Sequence, residues 1–198
     1  MINRKIIIIS SVIILSLLGI GVQIRKTTTK SENMKKVTSV GLSSSQQEYF
    51  SQQMDKTGRE ADLLEKGKLL LNEGSASEAI KYFNNLINDE EFELKGLAKA
   101  HLIDAYEKKG DYYTTYAILY TETQKSKLSL SDLFRVPVAE RLKYLKYASE
   151  GEYELAVKHA QLALEASAEL PLKTFKQAYR KRLNNIEASK EYIESLKK

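Results

Sequence analysis

The chain has 198 residues, with 31 Lys and Arg against 26 Asp and Glu and a formal charge of +5. The whole excess lies in the first thirty residues, where Arg4, Lys5, Arg25, Lys26 and Lys30 meet no acid, so residues 31–198 balance at 31 − 5 = 26 basic against 26 acidic side chains. A balanced body argues against a polyanion-binding protein, and the lack of cysteine excludes disulfides, thiolate nucleophiles and Cys-ligated zinc.

Residues 6–24, IIIISSVIILSLLGIGVQI, carry no charge and stand between Arg4-Lys5 and Arg25-Lys26. A helix of that length spans roughly 28 Å, close to the hydrocarbon thickness of a bilayer. Eight Ile, three Leu and two Val outweigh three Ser and one Gln on any insertion scale. The segment is therefore read as one transmembrane helix within a signal-anchor at 1–25. A cleaved secretory signal is the alternative, with Gly19-Ile20-Gly21 as its small-x-small site. Against cleavage, no Ala-x-Ala pattern follows the apolar run and apolar character resumes at Val22 and Ile24. With so short an amino-terminal tail, the reading places the bulk of a single-pass membrane protein outside the cytoplasm.

Residues 26–47, rich in Ser, Thr and Lys without an apolar period, read as a flexible polar linker. From Glu48 the pattern changes. Tyr49, Phe50, Met54, Leu63, Leu64, Leu70 and Leu71 recur at helical spacings, and no run shows the alternation or turn chemistry of a hairpin, so residues 48–198 are expected to be all-α.

Three segments in this region share a layout of apolar helix, glycine, short turn and second helix. They begin at Leu63, Leu102 and Tyr144, and their turn glycines, Gly74, Gly110 and Gly151, lie 36 and 41 residues apart. Each glycine suits a left-handed helix cap, and Ser75, Asp111 or Glu152 begins the helix that follows. A lone helical hairpin cannot bury both its apolar faces, so such units stack on one another.

The segments resemble the tetratricopeptide repeat, a helix-turn-helix unit of about 34 residues. In the first copy Gly67, Gly74, Ala79 and Phe83 fall on the family's positions. In the third, Tyr147, Gly151, Tyr153, Ala156, Ala160 and Ala163 do so. The middle copy keeps Leu102, Tyr106, Gly110 and Tyr112 but has Thr115 where a small Ala is usual, and none of the three ends in proline. The resemblance covers roughly residues 59–168 and implies an α-solenoid of antiparallel helical hairpins, with copies at about 60–91, 96–127 and 137–168. After Pro171, Phe175, Tyr179, Leu183, Ile186 and Ile193 line one helical face, so 171–197 is expected to be a capping helix. The stretch from Ser44 to Gly58 is a candidate cap for the other end.

Chemistry is sparse. His101 and Asp104 are spaced i, i+3, but no nucleophile or cleft motif accompanies them, and His159 stands among Lys158 and Gln161. The acidic run Asp89-Glu90-Glu91-Glu93 lacks the glycine and alternation of a calcium loop and reads as solvated. No phosphate-cradling glycine motif occurs. The chain is read as a non-enzyme with no catalytic residue, no cofactor, no metal and no small-molecule substrate. Tyr112, Tyr113, Tyr116 and Tyr120 read as mostly core. Lys173, Lys176 and Arg180, with Lys181 and Arg182 beside them, read as a solvated basic stripe.

The resemblance implies a concave groove built by successive first helices, lined by Leu64, Lys68, Leu71, Ala100, Asp104, Glu107, Arg141 and Leu145. Leu64 and Lys68 stand where a carboxylate-gripping member of the family would place Lys and Asn, so a chaperone-tail adaptor is not expected. The function expected is that of a membrane-tethered scaffold that binds another protein, as a peptide segment or helix, within an envelope assembly. A permanently buried structural subunit of a membrane complex and a secreted soluble repeat protein are the alternatives.

Overall fold

The computed structural model describes residues 44–125, 132–170 and 172–197. The apolar run 6–24 and nearly all of the polar linker lie outside them. Among the described residues no helix is long and apolar enough to cross a membrane.

The described chain is all-α. It contains seven α-helices: α1 (Ser44–Asn72), α2 (Ala76–Asn88), α3 (Lys95–Lys109), α4 (Tyr112–Lys125), α5 (Asp132–Ser149), α6 (Tyr153–Ala166) and α7 (Lys173–Ser195). A single 3-10 turn at Ser167–Glu169 leads into the last of them. Helix α1 begins at Ser44, four residues inside the expected linker. Most of its first four turns are exposed, so the stretch from Ser44 to Gly58 prolongs α1 and does not form a separate cap.

The three glycines turn the chain identically. Gly74, Gly110 and Gly151 have φ of 95°, 82° and 81°, a left-handed conformation that costs a side-chain-bearing residue strain. At each, the glycine N–H reaches the carbonyl three residues back, and the next N–H reaches the carbonyl five back: Asp111 N to Tyr106 O, Ser75 N to Leu70 O, Glu152 N to Tyr147 O. This double closure satisfies carbonyls that the helix end would leave orphaned. Asp111 adds a side-chain cap, accepting from the Thr114 N–H at 3.1 Å. Ser75 and Glu152 make no such cap.

Helix α2 packs on α1 so closely that a Cβ on Gly67 would lie 2.5 Å from the Phe83 ring. Phe83 is fully buried and stacks on His101 of α3, with ring centroids 5.4 Å apart. One core cluster joins Leu64, Ala79, Ile80, Phe83 and Leu86 to Phe92, Leu97, Ala98, Leu102 and Ala105. A second joins Ile103 of α3 to Tyr112, Leu119, Tyr144, Leu145, the alanines of α6, and Tyr179, Leu183 and Ile186 of α7. Helix α3 thus serves both cores. In α5, Pro137 is the sixth residue, beyond the first turn, so it leaves the carbonyl four residues back without its helical donor. Thr115 fits its alanine-like position because its hydroxyl donates to Asp111 O at 2.7 Å, leaving no unmet polar group in a fully buried site.

Long-range contacts fix the helix directions. Glu60 accepts from the N–H groups of Glu93 and Leu94 at the start of α3, and Lys108 at its end donates to Leu71 O of α1, so α1 and α3 run the same way. Arg182 reaches Asp104, and Tyr112 O–H pairs with Ser189 Oγ at 2.7 Å, so α7 runs the same way too. Helices α1, α3 and α7 are therefore three parallel walls facing a common space.

Candidate functional site

That space is a groove of about 660 Å³. Glu65, Lys68, Leu71 and Asn72 line it from α1, His101, Asp104, Glu107 and Lys108 from α3, and Gln177, Lys181, Arg182, Asn184 and Asn185 are among its α7 residues. Four of the eight residues expected in a groove, Lys68, Leu71, Asp104 and Glu107, come together here. The other four do not reach it. Leu64, Ala100, Arg141 and Leu145 are buried. Leu64 packs with Phe83, and Leu145 lies in the second core with Tyr179 and Leu183. Helix α7 packs chiefly on α6, and its Tyr179 and Leu183 enter the core that holds Leu145, while Arg141 turns inward to the α3 carboxylates.

Beneath the groove lies a buried charge network. Arg141, with no exposed surface, donates from Nη2 to Glu107 Oε2 at 2.6 Å and lies 3.2 Å from Asp104 Oδ1. Arg182 Nη2 donates to Asp104 Oδ1 at 2.9 Å, and its Nε stands 3.5 Å from Glu107 Oε2. Tyr144 O–H completes Glu107 through Oε1. Two cations and two carboxylates from α3, α5 and α7 so neutralise one another, and each buried charge has a partner. Burial pushes the Asp104 carboxyl up, but the Arg182 and Arg141 guanidiniums outweigh it and hold the group below the ordinary carboxylate range. Burial works against the Arg141 charge, yet Glu107, Tyr144 and Asp104 raise its pKa well above the ordinary value. Arg182 also lies over the Tyr179 ring, 5.1 Å from its centroid.

The expected basic stripe on α7 is thereby divided. Lys173, Lys176, Arg180 and Lys181 are exposed, whereas Arg182 turns inward and is 6% exposed. Its register carries the signal: Arg182 stands three residues after Tyr179 and four before Ile186, on the apolar face of the helix. Arg141 stands likewise three after Val138 and four before Leu145. A cation at an apolar register position is the mark of a buried ion pair that residue type alone conceals.

His101 is buried rather than surface-facing. Burial holds its pKa below 6.5 against the nearby Asp104 carboxylate, with Lys68 lowering it further. His159 bonds Glu140 through Nδ1 at 2.6 Å and stacks on Tyr147, tying α6 to α5. Neither histidine stands with a nucleophile. No group of three or more acidic or histidine side chains among the described residues could hold a metal ion. Of the tyrosine group on α4, Tyr112 is buried while Tyr113 and Tyr120 are 73% and 46% exposed.

Comparison with protein-family models, curated proteins and solved structures finds no match for this chain.

Proposed function

We propose that the chain is a membrane-tethered protein–protein interaction scaffold whose tetratricopeptide-like helical domain receives a segment of another protein in the groove between α1, α3 and α7. The observation that carries this reading is the groove itself: three parallel helices present charged and amide side chains to one concave space, with its floor made rigid by the Arg141–Glu107 and Arg182–Asp104 pairs. The repeat reading is supported by three glycine turns with one hydrogen-bond pattern. It is further supported by the approach of Gly67 to Phe83, where the family sets a small residue against an aromatic one. Residues 6–24 act as the anchor, and the domain lies on the extracytoplasmic side within an envelope assembly. The overhang of α1 before Glu60, about 24 Å if straight, holds the groove away from the bilayer. Tethering raises the local concentration of the domain at the membrane, so that modest affinity suffices. No catalytic step is part of this reading.

A photo-crosslinking residue placed at Asn72 in the full chain tests it, with the same residue at Lys158 on the outer face of α6 as control. A discrete protein adduct in membranes from Asn72 and none from Lys158 is expected. Equal labelling from both, or none from Asn72, would overturn the groove. Labelling chiefly from Tyr113 or Leu162 would favour the structural-subunit reading, for which the exposure of Tyr113, Tyr120, Leu155 and Leu162 on α4 and α6 is the supporting observation.

A further inference from the structure

The charges of the groove do not cancel. Asp104 and Glu107 are consumed by Arg141 and Arg182 beneath it, and Glu65 is held by Lys68 at 2.6 Å. Two lining cations remain without a carboxylate. Lys108 donates only to the Leu71 carbonyl, and Lys181 makes no ion pair. Along the outer edge of the same wall, Lys173, Lys176 and Arg180 are exposed and make no ion pair either, and together with Gln177 and Lys181 they bound a second concavity that adjoins the groove. The first half of α7, residues 173–184, contains no acidic residue, and the N-terminal end of a helix adds positive potential to these cations. Between the cations stand the amides of Asn72, Asn184 and Asn185, which can hydrogen-bond a peptide backbone in both senses.

We infer that the occupant of the groove is an acidic, extended polypeptide segment, whose carboxylates meet Lys108 and Lys181 while its backbone meets the amides. This inference rests on the proposed groove reading and adds the chemistry of the partner. A flat anionic bilayer could touch Lys173 and Arg180 on α7, but Lys108 and Asn72 stand on the other two walls of the concave space. A nucleic acid would want stacking rings, and His101, the sole ring in the lining, is buried against Phe83.

The test uses the full chain in detergent micelles and a fluorescent twelve-residue peptide of alternating Glu and Ser, read by anisotropy at low salt, with a Lys-and-Ser peptide as counterpart. The acidic peptide is expected to bind at least tenfold more tightly than the basic one. Its affinity should fall steeply as salt is raised, because the contacts are charge pairs with partial solvent access. Lys108→Gln together with Lys181→Gln should weaken it about five- to tenfold, whereas Lys143→Gln with Lys158→Gln should leave it unchanged. Equal binding of the two peptides, or undiminished binding by the groove variant, overturns the inference. So does competition by phosphatidylglycerol vesicles or an oligonucleotide that outlasts the loss of Lys108 and Lys181. If the Asn72 probe captures a protein in membranes while the acidic peptide fails to bind, the scaffold reading stands and this assignment alone falls.

Discussion

Arg182 and Asp104 are 78 residues apart in the chain, yet their side chains meet at 2.9 Å and join the last helix to the third. Around that contact Arg141 and Glu107 form a second pair; three of the four charges are buried, and Asp104 keeps about a fifth of its side chain open to the groove. Burying charge is costly, so removing one member should cost far more than the pair contributes.

Arg141→Met leaves Glu107 buried and short of its nearest cation. A loss of about 3–5 kcal/mol is expected, seen as a fall in Tm on the order of 10 °C by circular dichroism. Adding Glu107→Gln, which removes the stranded charge and keeps an acceptor for Tyr144, should recover part of that loss. Equal or additive destabilisation in the double variant would show that the pair is not coupled.

Gly67→Ala places a methyl group 2.5 Å from the Phe83 ring, in a site with no room to relax. Overpacking of this kind costs about 1–3 kcal/mol. In a Phe83→Leu background the same substitution should cost at least about 1 kcal/mol less, which a double-mutant cycle in urea measures.

Two other glycines separate backbone from space. Gly110→Ala meets no atom within 4 Å but sits at a φ of 82°, so a loss of about 1 kcal/mol or more is expected from strain alone. Gly58→Ala, also in open space but inside α1, should strengthen that helix by up to about 1 kcal/mol. Opposite signs in the two urea midpoints are the check.

Stability should vary with pH on both flanks. His101 is held below its ordinary 6.5 by burial, so the unfolded chain binds the proton first on acidification. The contribution is complete above pH 6.5 and is lost as pH falls through the folded value. His101→Gln should flatten this limb in urea midpoints measured from pH 7 to 5. Asp104, held down by the arginines, adds a second loss that begins only below the ordinary carboxylate pKa of 3.8. On the alkaline side, burial pushes Tyr112 up to about 12 and raises Tyr144 and Tyr179 as well. Their folded values exceed their unfolded ones, so stability declines as pH climbs above 10. An ultraviolet titration should show these phenols ionising later in the folded chain than after unfolding in urea.

The helices and their turns were legible because they depend on local chemistry. A glycine after a helix and an apolar period of three to four residues need no knowledge of neighbours. Gly67 and Phe83 stand at positions that the resemblance marks, and their close approach appears only in the packed structure. The groove was only half legible. The resemblance implies Lys68, Leu71, Asp104 and Glu107 on the first helices, but it says nothing of Arg182 reaching in from α7. Arg141 is interior because it pairs with the α3 carboxylates and Leu145 because it joins the second core, and Arg182 completes a network that no local pattern announces. Non-local charge pairing is set by tertiary geometry, and its trace in the sequence is only a cation on an apolar face.

Helix α3 contributes to two separate hydrophobic clusters, Leu97, Ala98, Leu102 and Ala105 on one side and Ile103 on the other. The α1–α2 hairpin packs on α3 through the first set, with the Phe83–His101 stack and the Glu60 and Lys108 hydrogen bonds beside it, and α4 to α7 share the second cluster. An opening that detaches the α1–α2 hairpin alone is expected to be cheaper than global unfolding, with α3 protected longest. In native-state hydrogen exchange its amides set the slowest class, and those of α1 and α2 exchange through a cheaper, partial opening. The molecule is in this sense hinged on its third helix, and one wall of the groove belongs to the half that opens.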